Sequence, residues 1–221
     1  MREPTVAELM TRQVISAVPH TPFKELVGCI LAHDISALPV IDTTGRPLGV
    51  VAEADLLAKL EFHGGADQAP LLASSRCRAR WRKSSALIAA DLMTTPALTI
   101  PPDTPVSTAA HLLADHQLRQ LCIVDSAGFL IGVLTRRDPL RLFLRGDRAI
   151  HADVEHALAH ATRTSRRIAV CVVDGTVTLS GALPLRSTVE RAGALAQQVL
   201  GVIAVDNKLH YELDDLMFTG L

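Results

Sequence analysis

The chain has 221 residues, 48% hydrophobic and 20% charged, which is enough apolar mass for one large domain or two to three small ones. Its formal charge of −1 gives no global field for drawing in nucleic acid or an anionic membrane, so any such contact would have to be local. Aromatic residues make up 3%, which disfavours stacking platforms for single-stranded nucleic acid.

From the N-terminus, Met1-Arg2-Glu3-Pro4 lacks an apolar signal region, and no run of about 18 uncharged apolar residues follows anywhere in the chain. Val6 to Met10 has helical apolar spacing that gives way at Thr11, and Val14 to Val18 reads as a short strand ended by Pro19. Thr21-Pro22 is placed to cap a helix through about His33. A buried strand is expected at Ala37 to Ile41, a turn at Asp42 to Gly45, a strand at Leu48 to Val51 and a helix from Asp55 to Leu60.

The same order returns from Ile88 to Leu144, at a constant offset of 83 residues. That offset carries Leu9-Met10-Thr11 to Leu92-Met93-Thr94, Thr21-Pro22 to Thr104-Pro105, Gly49-Val50 to Gly132-Val133 and Asp55 to Asp138. Two copies of one supersecondary unit are therefore present, and such a unit completes its core by packing on its twin. Each copy ends on an apolar strand that runs into a carboxylate. In the second copy, Thr135-Arg136-Arg137-Asp138 adds a hydroxyl and two guanidinium groups. A carboxylate can accept both hydroxyls of a ribose, and a threonine hydroxyl can donate to a phosphate or ribose oxygen. The same residue types also serve as helix caps, so this stretch alone does not separate a binding site from a helix start.

The repeated Leu-Met-Thr, Thr-Pro, the Leu-Pro-Val-Ile-Asp strand, Gly45 and the Gly-x-x-x-x-x-Asp ending resemble a tandem CBS domain pair, the module named after cystathionine β-synthase, over about residues 5 to 145. The resemblance implies an α+β fold in which two pseudosymmetric β-α-β-β-α units pack as a pair, often as a dimer. Its clefts would bind adenosine-containing ligands such as AMP, ADP, ATP or S-adenosylmethionine. It also implies that each cleft is shared between the copies. The main cleft would use Thr135 and Asp138, with Val133 beneath the base and Thr11, Ile15, Ile35, Ser36 and Ala37 as the wall. The weaker cleft would use Asp55 with Thr94, Leu98, Leu118, Arg119 and Gln120. It departs from the pattern where Ala52 replaces a hydroxyl residue and where bulky Arg119-Gln120 replace Ser36-Ala37.

Between the copies, residues 61–87 read as a linker helix containing Gly64-Gly65 and a run, Arg76 to Lys83, in which five of eight residues are basic and Trp81 is the only tryptophan. A solvated face with Trp81 packed on the pair is favoured over a phosphate or nucleic-acid contact.

After Gly146 the pattern changes. Ile150, Val154, Ala157, Leu158 and Ala161 have helical spacing, Ile168 to Val173 and Thr176 to Gly181 form a hairpin around Asp174-Gly175, a helix runs from Pro184 to Leu200, and Val202 to Tyr211 closes the unit as a strand. The order, with Val-Thr-Leu-Ser-Gly at 177–181 and Gly201-Val202, is similar to a BON domain, a small αββαβ fold associated with lipid contact and self-association. Between Ile150 and Tyr211 the charges nearly cancel, with Arg163, Arg166 and Arg167 as the one basic cluster, so stable membrane attachment is not expected. His151, His156 and His160 crowd the first helix of this unit beside Glu155. They read as a solvated face, because no third metal ligand is fixed by spacing.

Cys29, Cys77, Cys122 and Cys171 include no C-x-x-C pair; Cys29, Cys122 and Cys171 sit in apolar runs and read as small buried hydrophobes in a reducing cytoplasm. Phosphate-loop, dinucleotide, nucleophile-elbow and zinc-protease signatures are missing. The expected organisation is a first repeat at 1–60, the linker at 61–87, a second repeat at 88–146, the BON-like domain at 147–213 and a tail at 214–221. The expected function is a non-enzymatic regulatory sensor that requires no cofactor. It would bind an adenine nucleotide, form a homodimer through the pair and contact a protein partner through the BON-like unit. The rival readings are a ligand-free self-assembly module and a membrane-surface protein.

Overall fold

The computed structural model describes residues 3–63, 74–161 and 168–218; Gly64-Gly65 and the cluster Arg163, Arg166 and Arg167 lie outside the described residues. One compact unit spans Pro4–Asp138 and a second holds Pro139–Leu221.

In the first unit, the leading copy contains α1 (Val6–Leu9), α2 (Phe23–His33), β1 (Ala37–Ile41), β2 (Pro47–Ala52) and α3 (Glu53–Glu61). A linker helix, α4 (Ser75–Ser84), follows. The second copy supplies α5 (Ala89–Leu92), β3 (Thr99–Ile100), α6 (Val106–Asp115), β4 (Gln120–Val124), β5 (Leu130–Thr135) and the start of α7 (Arg137–Leu140). β1 pairs antiparallel with β2, and β4 pairs antiparallel with β5 in the equivalent register. Just past α2 and α6, the equivalent residues Asp34 and Gln117 both turn left-handed, at φ of 50° and 52°.

The copies exchange their opening segments. Val6 N–H donates to the Thr104 carbonyl at 2.9 Å, and Ala89 N–H donates to the Thr21 carbonyl at 3.0 Å. Thr11 and Val133 exchange two backbone hydrogen bonds of 2.9 and 3.0 Å, while Thr94 and Val50 exchange two of 2.8 and 3.0 Å. Each of these pairs is the image of the other under the 83-residue offset. The apolar face of α1 therefore fills the core of the opposite copy. Val6 and Met10 pack with Ile100, Leu113, Leu121, Ile123 and Leu134, and Ala89 and Leu92 pack with Leu26, Ile30, Leu38 and Val51. Neither copy has a complete core without its twin.

Two expectations for this unit are corrected. The strand expected at Val14 to Val18 is reduced to a single parallel bridge, Ala17 to Val40. Ala17 N–H reaches the Pro39 carbonyl at 2.9 Å, but extending the ladder toward Ile15 would require an N–H from Pro39, which proline lacks. The second copy has Cys122 at that position; its N–H donates to the Leu98 carbonyl at 3.2 Å, and β3 forms. Thr21 does not cap α2, whose N-cap is Pro22; the Thr21 hydroxyl instead accepts the Val18 N–H at 3.0 Å within the preceding turn.

The second unit contains α8 (Asp147–Ala161), β6 (Ile168–Val173), β7 (Thr176–Leu185), α9 (Arg186–Gln197) and β8 (Ala204–Leu213). The sheet order is β6-β7-β8, antiparallel then parallel. Its core joins Ile150, Val154 and Leu158 of α8 to Val177, Leu179 and Leu183 of β7 and Val189, Ala192 and Ala196 of α9. Asp174 and Gly175 both have positive φ, 48° and 72°, as a tight primed hairpin turn requires. The Asp147 carboxylate fixes this turn by accepting both their N–H groups at 2.9 Å.

The helix expected from Pro184 begins only at Arg186, because β7 continues through Leu185 along β8, and only Pro184 drops out of the register. The tail docks on the first turn of α9, where Asp215 accepts the Ser187 N–H at 3.0 Å and the Ser187 hydroxyl at 2.5 Å. These bonds, the hydroxyl's foremost, hold the Asp215 carboxyl below its usual range. Cys122 is buried as expected, but Cys29 is half-buried and Cys171 is exposed, since alternation along β6 turns Cys171 away from the core.

The exchange depends on close backbone approach at two glycines. A Cβ at Gly49 would stand 2.8 Å from the Thr94 carbonyl oxygen, and one at Gly132 would stand 2.6 Å from Met10 Sδ. By contrast, Gly28 in α2 has open space around it. Gly49→Ala is expected to destabilise the fold by about 1–3 kcal/mol through overpacking against backbone. Gly28→Ala should stabilise it by about 0.5–1 kcal/mol. Urea denaturation midpoints of the two variants check both signs.

Candidate functional site

The end of β5 delivers Thr135, and the first turn of α7 delivers Asp138, which is 3% exposed. Asp138 Oδ2 accepts the Thr135 N–H at 2.7 Å and the Thr135 hydroxyl at 2.8 Å. The Thr135 hydroxyl is thereby oriented, and its oxygen also receives the Arg137 N–H at 3.3 Å. Arg136 is committed elsewhere: Nε donates to the Leu118 carbonyl at 2.7 Å and Nη2 to the Leu113 carbonyl at 3.2 Å, which ties it to the end of α6.

Two residues before Thr135, Val133 pairs with Thr11 of the exchanged segment. That segment then crosses to the other copy, where the Ala17 carbonyl accepts the Ile41 N–H at 2.9 Å. Ile15 and Ile35 pack on the core of the first copy. Ala37 is buried opposite Ala52, and the Ser36 carbonyl accepts the Glu53 N–H at 3.1 Å. Hydrogen bonds thus join Thr11 to Val133 and Thr135 to Asp138, and Val133 and Thr135 lie two residues apart on β5. Ile15, Ile35, Ser36 and Ala37 are held on the first copy, reached from Thr11 along one short run of chain.

The equivalent place in the other copy differs in its polar contacts. Asp55 Oδ2 accepts the Ala52 N–H at 2.8 Å, but Ala52 has no hydroxyl to add the second bond. Asp55 Oδ1 instead receives Lys83 Nζ at 2.7 Å, and the same ammonium donates to the Thr94 hydroxyl at 2.9 Å. Leu98 and Leu118 pack on the second core as Ile15 and Ile35 do on the first. Arg119 is exposed, whereas Gln120 is buried with no hydrogen-bond partner at Nε2 among the described residues. Lys83 was missed by sequence reading. It belongs to a basic run whose composition suggests a solvated face, and no spacing separates it from Arg82.

Cys122 stands opposite Val133 across β4 and β5. Burial pushes its thiol up to about 12, so it has no thiolate character for nucleophilic chemistry near neutrality. His151 turns Nε2 to the Val170 carbonyl at 3.1 Å and Nδ1 toward Glu155 at 3.6 Å; among the described residues no group of three metal-ligating side chains forms. No described helix is long and apolar enough to cross a membrane.

The CBS domain model matches residues 6–61 and 89–145, and the BON domain model matches residues 146–212. The chain belongs to the CBS-domain family. Its CBS pair is similar to that of CBSX2, a chloroplastic CBS domain-containing protein of Arabidopsis thaliana, with 32% identity over 153 residues and 64% of each chain covered. Protein MK0525 of Methanopyrus kandleri is 29% identical over 142 residues, again covering 64% of each. The chain thus spans just under two thirds of the length of these relatives. The crystal structure of CBSX2 in complex with AMP superposes with a TM-score of 0.54 and 31% identity, over 63% of this chain and 96% of that one. The CBS domain pair of protein MJ0100, in complex with methylthioadenosine and S-adenosyl-L-methionine, shares the fold at 20% identity and a TM-score of 0.52, over 64% and 97% of the two chains.

The four thiols should separate in reactivity. At about pH 8, iodoacetamide is expected to modify exposed Cys171 first and to leave Cys122 intact until denaturant is added, as peptide mass mapping would report.

Proposed function

We propose that the CBS pair is a non-catalytic sensor of an adenosine-containing ligand, with the Asp138 cleft as its main site. The observation that carries this reading is the exchanged segment. Thr11 is bonded to the strand that ends in Thr135 and leads to Asp138, and the chain then runs through Ile15 to the copy holding Ile35, Ser36 and Ala37. A ligand whose ribose hydroxyls reach Asp138 and whose base reaches the small and apolar wall would touch both copies. The likeness to CBSX2, solved with AMP, supports an adenine nucleotide as the ligand class.

Signalling follows from differential affinity. A ligand spanning two copies favours the orientation in which both sets of contacts form, by no more than its preference for that state. The BON domain is then the output, contacting a protein partner. Its described charges and its filled core support a protein contact over lipid insertion, because Ile150, Val154 and Leu158 are spent on its own sheet.

The pair is also proposed to dimerise through α2 and α3. Between these helices lies an apolar groove of about 520 Å³, lined by Phe23, Val27, Leu31, Leu57 and Leu60 among others. Leu31 and Leu60 are 75% and 77% exposed, and a second copy of this face would cover them.

AMP titrated calorimetrically into Asp138→Asn is expected to bind roughly 10- to 150-fold more weakly than into the wild type, since a hydrogen bond to a charged group contributes about 1.5–3 kcal/mol. Asp55→Ala should leave the affinity unchanged. Equal affinity in Asp138→Asn and wild type would overturn the site. Light scattering of the full chain should give the mass of a dimer, and Leu31→Glu with Leu60→Glu should give that of a monomer.

A further inference from the structure

The pseudosymmetry that builds one cleft should build its twin around Asp55, and there an ammonium already sits on the carboxylate. We propose that Lys83 is an internal occupant of the second cleft, closing it to nucleotide so that each chain binds a single equivalent. The inference rests on the reading of the CBS pair as an adenosine sensor and concerns the cleft that reading ranks second.

The lysine engages two polar groups assigned to that cleft, the Asp55 carboxylate and the Thr94 hydroxyl. Its ammonium lies 2.7 Å from Asp55 Oδ1 and 2.9 Å from the Thr94 hydroxyl, while Asp55 Oδ2 is held by the Ala52 N–H at 2.8 Å. A ribose hydroxyl approaching Asp55 would therefore meet a carboxylate whose charge is already neutralised by the ammonium, and would have to compete with a bond in which both partners are charged. The pair is shielded from water: the Lys83 and Asp55 side chains are 15% and 14% exposed, so solvent screens their attraction less than it would at the surface.

The plug is also fixed in place by its neighbours. Ser84 is fully buried, and its carbonyl accepts Lys59 Nζ at 3.0 Å. Ala86, three residues after Lys83, is buried in the core of the first copy. One turn earlier in α4, Arg80 pairs with Glu61 at the end of α3. Lys83 is thus delivered by a backbone that packing already holds, and little chain entropy is lost when its ammonium docks. An occupant tethered in this way competes with free ligand at a high effective concentration. The basic run in the linker is therefore not uniform. Arg82 is exposed, while Lys83, the next residue, turns inward.

The experiment is calorimetric titration with AMP of the wild type, Lys83→Met, and Lys83→Met combined with Asp55→Ala. Methionine keeps the apolar stem and removes the charge; Lys83→Gln, which retains a donor, is read by the same criteria if the methionine variant does not fold. The expected result is one equivalent in the wild type, a second in Lys83→Met, and loss of that second equivalent in the double variant. The proposal is overturned if Lys83→Met binds no more AMP than the wild type. It is equally overturned if the wild type already binds a second equivalent that Asp55→Ala removes. Failure of the sensor reading looks different, because the wild type would then bind no AMP at all. Even so, an Asp55-dependent equivalent appearing in Lys83→Met would uphold the plug, and its absence would overturn it.

Discussion

The structure of the CBS pair depends on two reciprocal backbone pairings, Thr11 with Val133 and Thr94 with Val50. Each stitches the opening segment of one copy to the last strand of the other. Each requires a glycine at the step before, because Gly132 and Gly49 admit the Met-Thr stretch at distances that a side chain would block. Core completion follows from this exchange. α1 is only four residues long and has no independent stability, yet Val6 is fully buried once it lies on the second copy. The proposed clefts depend on it too, since the chain between Thr11 and Ala17 links the Asp138 end of one copy to Ile15 on the core of the other.

The same symmetry makes the differences between the clefts informative. Both carboxylates accept an N–H from the residue three positions earlier, as a helix-capping carboxylate does. Only Thr135 adds a hydroxyl bond, and in the other copy the corresponding electrostatic role passes to Lys83. The two equivalent ends of the repeat thus differ in their polar contacts: one carries a hydroxyl bonded to a carboxylate, the other an ion pair.

Much of this architecture was legible in the sequence because the 83-residue offset persists through turns, glycines and apolar positions. A repeat of that quality constrains topology more strongly than local propensity. What escaped reading was decided by single missing or added groups. Pro39 lacks the N–H that would have extended a strand which Cys122 permits in the other copy. β7 runs on through Leu185 because nine backbone pairings with β8 outweigh the helix-starting preference of Pro184. Thr21, a good cap by composition, turns back to Val18. Lys83 was invisible for a different reason: its partners lie 28 and 11 residues away, beyond any local pattern.

If a ligand is held at Asp138, the exchanged segment brings it against the other copy as well, and amide chemical-shift mapping with AMP would show this. Saturating AMP is expected to move the resonances of Thr135 and Asp138 together with those of Thr11, Ile15 and Ala37, from both copies and with one affinity. Shifts confined to a single copy, or clustered in the BON domain while those five amides stay still, would contradict it.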